Sequence, residues 1–270
     1  MNSFTNFLLE DYSAKLSEES FLKAMRQHCS NSHTAAKTSG LFTCFKAESD
    51  FFMIDPKDRM IRSMFMVDEL IELLPSWKHT PFRRKALIGY TSLAAAKLYG
   101  TKDAKPFVLL PYDKGMLCML QAKSFYIGCE AAQKTIGISS LSNGQLRAWL
   151  STVRRVAKAA GNKVDGAEPE SGKAFLKAVQ ALADIKIDAK KLEELKLDED
   201  DLERAKLFYG RSGTPLEFLS HALDPDANRV EKLLAIHHNM PSDREVWTNS
   251  PCLLISIDAY KRLHEAGKIK

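Results

Sequence analysis

Two groups of imidazole and thiol donors stand out: His28-Cys29 with His33, and His237-His238 with Cys252. They carry the atoms of a zinc site, but structural zinc takes four converging ligands, usually as closely spaced pairs. Adjacent residues on a helix point about 100° apart, so His237 and His238 rarely face one ion. The stretch Asp224-x-Asp226-x-Asn228 opens like a calcium loop, yet Arg229 stands where the sharp turn needs glycine and Ala235 where the bidentate glutamate belongs. A helix start is the expectation there. Gly172-Lys173 lacks the upstream glycine and following hydroxyl of a phosphate loop, and no Gly-x-Ser-x-Gly or His-Glu-x-x-His occurs. Neither a metal nor a cofactor is expected.

The basic residues make a stronger pattern. Arg147, Arg154, Arg155 and Lys158 fall on overlapping faces of a helix around Trp149, with Arg147 and Arg154 two turns apart. Arg83-Arg84-Lys85 is expected in the first turn of a helix beginning at Phe82. Cations there oppose the helix dipole, so local helix stability does not explain them. These seven residues are the expected contacts to nucleic acid or lipid. Aromatics are not interleaved with them as a stacking platform requires, which points to phosphate or headgroup contact over base readout.

The elements that would carry these residues read mostly as helices. Phe4, Phe7, Leu8, Tyr12 and Leu16 recur at helical spacing, and Ser17-Glu18-Glu19-Ser20 offers a fresh start for Phe21–Cys29. Residues 30–40 read as a loop, and 41–54 as one short β-hairpin. Proline at a first helical position places helices after Asp55, Thr80, Thr214 and Asp224. Thr214-Pro215-Leu216-Glu217 and Ser242-Asp243-Arg244-Glu245 both read as capping boxes. Met116–Ile138 is apolar, with small residues suited to close helix packing. The fold expected is therefore mostly all-α, with two helical domains. The first spans 1–161 and carries the basic surface, 162–172 is a Gly- and Pro-punctuated linker, and 173–270 forms the second.

With 270 residues, 45% hydrophobic and 27% charged, the chain can bury a substantial core and is not disordered by composition. No apolar run reaches the roughly 18 residues of a membrane span, and the first residues lack the basic start and apolar stretch of a secretory signal. Five widely spaced cysteines suit reduced thiols. The formal net charge is +5, and its excess lies in residues 101–165, with ten Lys and Arg against four Asp and Glu. A local surplus of that kind attracts polyanions or anionic headgroups.

Trp77-Lys78, followed by Lys85-Ala86-Leu87-Ile88-Gly89 after an amphipathic segment ending Leu73-Leu74, resembles a stretch of influenza-type matrix proteins. The size, the basic middle and a basic final helix (Tyr260-Lys261-Arg262) are similar to matrix proteins of the orthomyxovirus family, thogotovirus group. The resemblance covers about 15 positions, and its two pieces are spaced differently. It implies two all-helical domains and a non-enzymatic layer under the viral envelope. Its implied partners are itself, viral ribonucleoprotein or RNA, and an anionic membrane surface. It would place the protein in host cytoplasm or nucleus and on the inner face of the envelope in the virion. The Cys/His cluster of influenza-type proteins is absent, so zinc is not carried over. A nucleic-acid-binding accessory subunit, part of a phage polymerase or a nucleocapsid protein, is the rival reading. An enzyme would need a site built from dispersed residues such as His237, His238, Asp243 and Glu245.

Overall fold

The computed structural model describes residues 13–37, 40–56, 65–100, 103–164, 166–185, 187, 189–209, 213–234 and 240–269. The opening amphipathic segment and His237-His238 lie outside the described residues. The chain divides into two compact units, both discontinuous in sequence. One comprises 1–61, 80–123 and 231–270, and the other 62–79 and 124–230. The whole of 162–172 thus falls inside the second unit.

The first unit is built on a nine-stranded antiparallel sheet, which overturns the expectation of a mostly all-α protein. Its strands are β1 (Ser13–Lys15), β2 (Phe42–Phe45), β3 (Phe51–Ile54), β4 (Leu87–Tyr90), β5 (Lys105–Pro111), β6 (Met116–Leu120), β7 (Val230–Leu234), β8 (Glu245–Thr248) and β9 (Cys252–Ser256). The order across the sheet is β1-β3-β9-β5-β2-β4-β8-β6-β7. Helices, numbered along the whole chain, are here α1 (Glu18–His28), α2 (Ser30–Ala36), α4 (Leu93–Tyr99) and α12 (Ile257–Glu265).

Period-two alternation explains how one apolar run serves two layers. Phe52, Phe107, Leu109, Cys252 and Leu254 enter one core. Their chain neighbours Phe51, Val108, Leu110, Leu253 and Ile255 enter another, with Phe21 and Met25 of α1 and Ala259 and Leu263 of α12. Strands buried on both faces show no polar alternation, so the sequence hides them.

Five expectations fail here for identifiable reasons. Residues 41–54 do hold two strands, but β2 pairs with β4 and β5 while β3 pairs with β1 and β9, so they are not a hairpin. Thr80-Pro81 opens no α-helix: Arg83–Lys85 is a single 3-10 turn leading into β4. Asp224-Pro225 starts a tight turn that feeds β7. Ser242–Glu245 leads into β8 because Asp243 takes a left-handed φ of 57°, which turns the chain. Residues 30–36, read as loop, are α2.

The second unit is helical: α3 (Met66–Leu73), α5 (Phe125–Gly128), α6 (Glu130–Ile136), α7 (Asn143–Ala159), α8 (Gly172–Gln180), α9 (Ala189–Glu194), α10 (Glu199–Tyr209) and α11 (Pro215–Ala222). Ser142 caps α7 by accepting from Gln145 N, and the Thr214–Glu217 capping box is fully formed at α11. Gly172 admits α8 close to α3, since a Cβ there would lie 2.5 Å from the Met66 carbonyl oxygen. Buried Trp77 donates its indole N–H to the Leu223 carbonyl at 2.6 Å and meets Phe125 edge-on.

Candidate functional site

The structure separates the seven basic residues into different roles. Arg83 is buried within the sheet unit. Its guanidinium lies 2.9 Å from a Glu245 carboxylate oxygen, with both side chains at most 2% exposed, and 5.7 Å from the centre of the Trp247 ring. The β4–β8 register sets Tyr90 opposite Glu245, and burial with this carboxylate pushes the Tyr90 phenol well above its usual range. Arg84 is half-buried, and Lys85 is exposed. Of the expected triplet, therefore, Lys85 is the exposed member.

On α7, Arg147 and Arg154 share a face as their spacing requires, but that face holds the chain's own backbone. Arg147 Nε donates to the Pro169 carbonyl at 3.0 Å, and Arg154 Nη1 donates to those of Gly166 and Ala167 at 3.2 and 3.3 Å. Arg155 pairs with the buried carboxylate of Asp201, which Thr152 also contacts. Lys158 is exposed. The arginines thus serve internal contacts, leaving the lysines more available.

Four of the five thiols are shifted away from reactivity. Burial pushes the Cys29 and Cys118 thiols up to about 12 and Cys44 up to about 11, and raises Cys252 well above its ordinary value. A thiolate nucleophile needs the opposite shift. Ser92 Oγ caps α4 by accepting from Ala95 N and donates to Asp243 at 2.5 Å. Lys123 lies 3.6 Å from the same carboxylate. The Ser92 hydrogen bond, and after it Lys123, holds Asp243 below the usual carboxylate range. That direction makes Asp243 a weaker base toward the hydroxyl. This Ser92–Asp243–Lys123 group clamps three loops instead. Among the described residues, no three His, Cys, Asp or Glu side chains gather as metal ligands. No described helix is long and apolar enough to cross a membrane.

The second unit contains a feature that sequence reading missed, a surface cleft of about 450 Å³. Glu130, Lys134 and Thr135 come from α6, His221 from α11, and Ala227 and Arg229 from the adjoining turn. Asn228 builds the turn. Its amide donates to the carbonyls of Ala222 and Asp224 at 2.9 and 2.8 Å, and its oxygen accepts from Ala131 N at 3.2 Å. Asp224 accepts from Asp226 N and Ala227 N, which occupies the carboxylate that a calcium loop would use. Arg229 is forced to φ 55°, a costly conformation for a residue with a side chain. The one sequence signal was Arg229 itself, which stands where such a turn favours glycine.

Within the cleft, Lys134 lies 3.1 Å from Glu130 across an exposed pair. The Lys134 hydrogen bond, then Lys134 and Arg229 charge, lower Glu130 from its ordinary value. Thr135 is 2% exposed, and its hydroxyl has no hydrogen-bond partner among the described residues.

Comparison with family models, with curated proteins and with solved structures returns no match.

Proposed function

We propose that this protein works by binding a nucleic acid through its phosphates, without making or breaking bonds. The observation that carries this reading is the surplus of positive charge in residues 101–165, where Lys105, Lys114, Lys134, Lys158 and Lys163 are all exposed. Exposed lysines contact phosphates as mobile point charges and release counterions on binding. The raised thiols and the clamped Ser92 favour binding over catalysis. A layer-forming role beneath an envelope, with self and membrane contacts, is a separate proposal. The nine-stranded sheet removes the all-helical fold on which its resemblance leaned.

Fluorescence anisotropy with a labelled single-stranded RNA 20-mer, from 20 to 300 mM salt, tests the reading. The affinity should fall linearly on a log–log plot. Each contacting lysine changed to Gln should reduce the slope by about 0.7. No binding at low salt would refute it. Binding to anionic vesicles without RNA binding, or ordered tubes and sheets in negative stain, would favour the layer-forming role instead.

A further inference from the structure

We infer that the cleft between α6, α11 and the Asp224–Arg229 turn seats a single phosphate group, most naturally the terminal phosphate of an RNA strand. This rests on the nucleic-acid reading above for the identity of the strand, but not for the chemistry of the seat.

Three observations carry it. First, Lys134 from α6 and His221 and Arg229 from the α11–turn stretch reach one concavity, against one carboxylate, Glu130. Second, the position of Arg229 is over-determined: Asn228 is pinned on one side, and Val230 N donates to the Pro225 carbonyl at 2.8 Å on the other. Strain of this kind concentrates at functional sites, and the Arg229 charge acts on Glu130 within the cleft. A guanidinium presented in this way can bind two phosphate oxygens through parallel N–H donors. Third, the Thr135 hydroxyl is buried in the cleft wall without a partner among the described residues. Leaving such a group unpaired is costly, and a turn of the side chain toward the cleft would let it donate to a phosphate oxygen.

Glu130 fits this picture as the group a phosphate displaces. Its pair with Lys134 is exposed, with side chains 56% and 71% accessible, so opening it costs little. The incoming dianion then takes over Lys134, while Glu130 swings to solvent. Carboxylate ligands are weaker candidates, because they carry half the charge and cannot engage Arg229, Lys134 and Thr135 with separate oxygens.

The test compares 5′-phosphorylated and 5′-hydroxyl RNA 10-mers by anisotropy, with calorimetric titration of pyrophosphate alongside. Two variants serve: Arg229→Asn, because asparagine tolerates a left-handed backbone, and Thr135→Val, which keeps the shape but removes the hydroxyl. The phosphorylated strand should bind about tenfold more tightly, matching one charge-assisted contact, and Arg229→Asn should abolish that preference. Thr135→Val should weaken it by roughly fivefold while leaving the melting temperature equal or higher, since it deletes an unsatisfied buried hydroxyl. A purely structural role for Thr135 would not produce that split. Equal binding of the two strands, unaltered in both variants, overturns the phosphate seat and leaves the nucleic-acid reading standing. If neither strand binds, the nucleic-acid reading fails and pyrophosphate decides the seat. Heat lost in Arg229→Asn supports it, and no heat in the wild type ends it.

Discussion

Replacing Arg83 by Met should cost about 3–5 kcal/mol of stability, because it removes the guanidinium that lies 2.9 Å from the buried Glu245 carboxylate. With charge centres roughly 4 Å apart and an effective dielectric near 20, the attraction alone is about 4 kcal/mol. The contact with Trp247 adds on the order of 1 kcal/mol. At about 2–4 °C per kcal/mol, the melting temperature should drop by roughly 6–20 °C. Glu245→Leu should cost a similar amount. Removing both charges in Arg83→Met/Glu245→Leu should restore most of the loss, since the desolvation cost of the pair disappears with them. Urea unfolding followed by tryptophan fluorescence and circular dichroism gives all three values. A single-variant cost below about 1 kcal/mol, or a double variant as unstable as the sum of the singles, would refute the account of a mutually dependent buried pair. The same logic governs any binding assay on this segment. Neutralising Arg83, Arg84 and Lys85 together would mix destabilisation with any loss of contact, whereas Lys85→Gln alone tests the surface.

The remaining predictions concern packing and pH. Gly172→Ala should destabilise by about 1–3 kcal/mol, read as a lower urea midpoint, because the new Cβ would meet Met66 and Leu70 backbone atoms at 2.5 and 2.6 Å. A neutral or stabilising result would mean that α3 and α8 separate freely. His33 is buried, and burial first, then Lys37 and His264, lowers its pKa below the ordinary histidine value of 6.5. The unfolded chain therefore takes up the proton first, so the stability it contributes is full above about pH 6.5 and falls as pH drops through and below that value. Melting temperatures between pH 7.5 and 5.5 should decline, and His33→Gln should flatten the decline; an identical slope in the variant would exclude His33 as its source.

Local signals were legible where one residue's chemistry decides the backbone. Ser17 and Thr214 mark true helix starts because their oxygens satisfy amide groups whatever lies around them. Proline misled in two places. Pro81 and Pro225 each suit the first helical position, but they suit turns equally well, and the strand that comes after each is fixed by sheet partners distant in sequence. Strands β5 and β9 were illegible for a different reason. Phe107–Leu110 and Cys252–Ile255 are buried on both faces, so they lack the alternation that distinguishes a strand from a buried helix. The basic residues were found by type, but their use was not. Arg83 meets Glu245 across 162 positions, and no local pattern separates a buried arginine from an exposed one. His221 and Arg229 carried no shared motif, since only the fold of the turn brings them to Thr135.

The place of β9 between β3 and β5 has a consequence for synthesis. The strands on either side of it emerge early, with residues 51–54 and 105–111, while β9 itself is made of residues 252–256. At ~5–20 residues per second, the ribosome leaves β3 without this neighbour for roughly 10–40 s. Throughout that interval the nascent chain offers two apolar strand edges, the kind of surface that pairs with other chains. A chain ended before residue 252 would lose an interior strand, which parts β1 and β3 from the rest of the sheet. The expected outcome is aggregation of chains truncated before residue 252, checked by the soluble fraction with and without added chaperone.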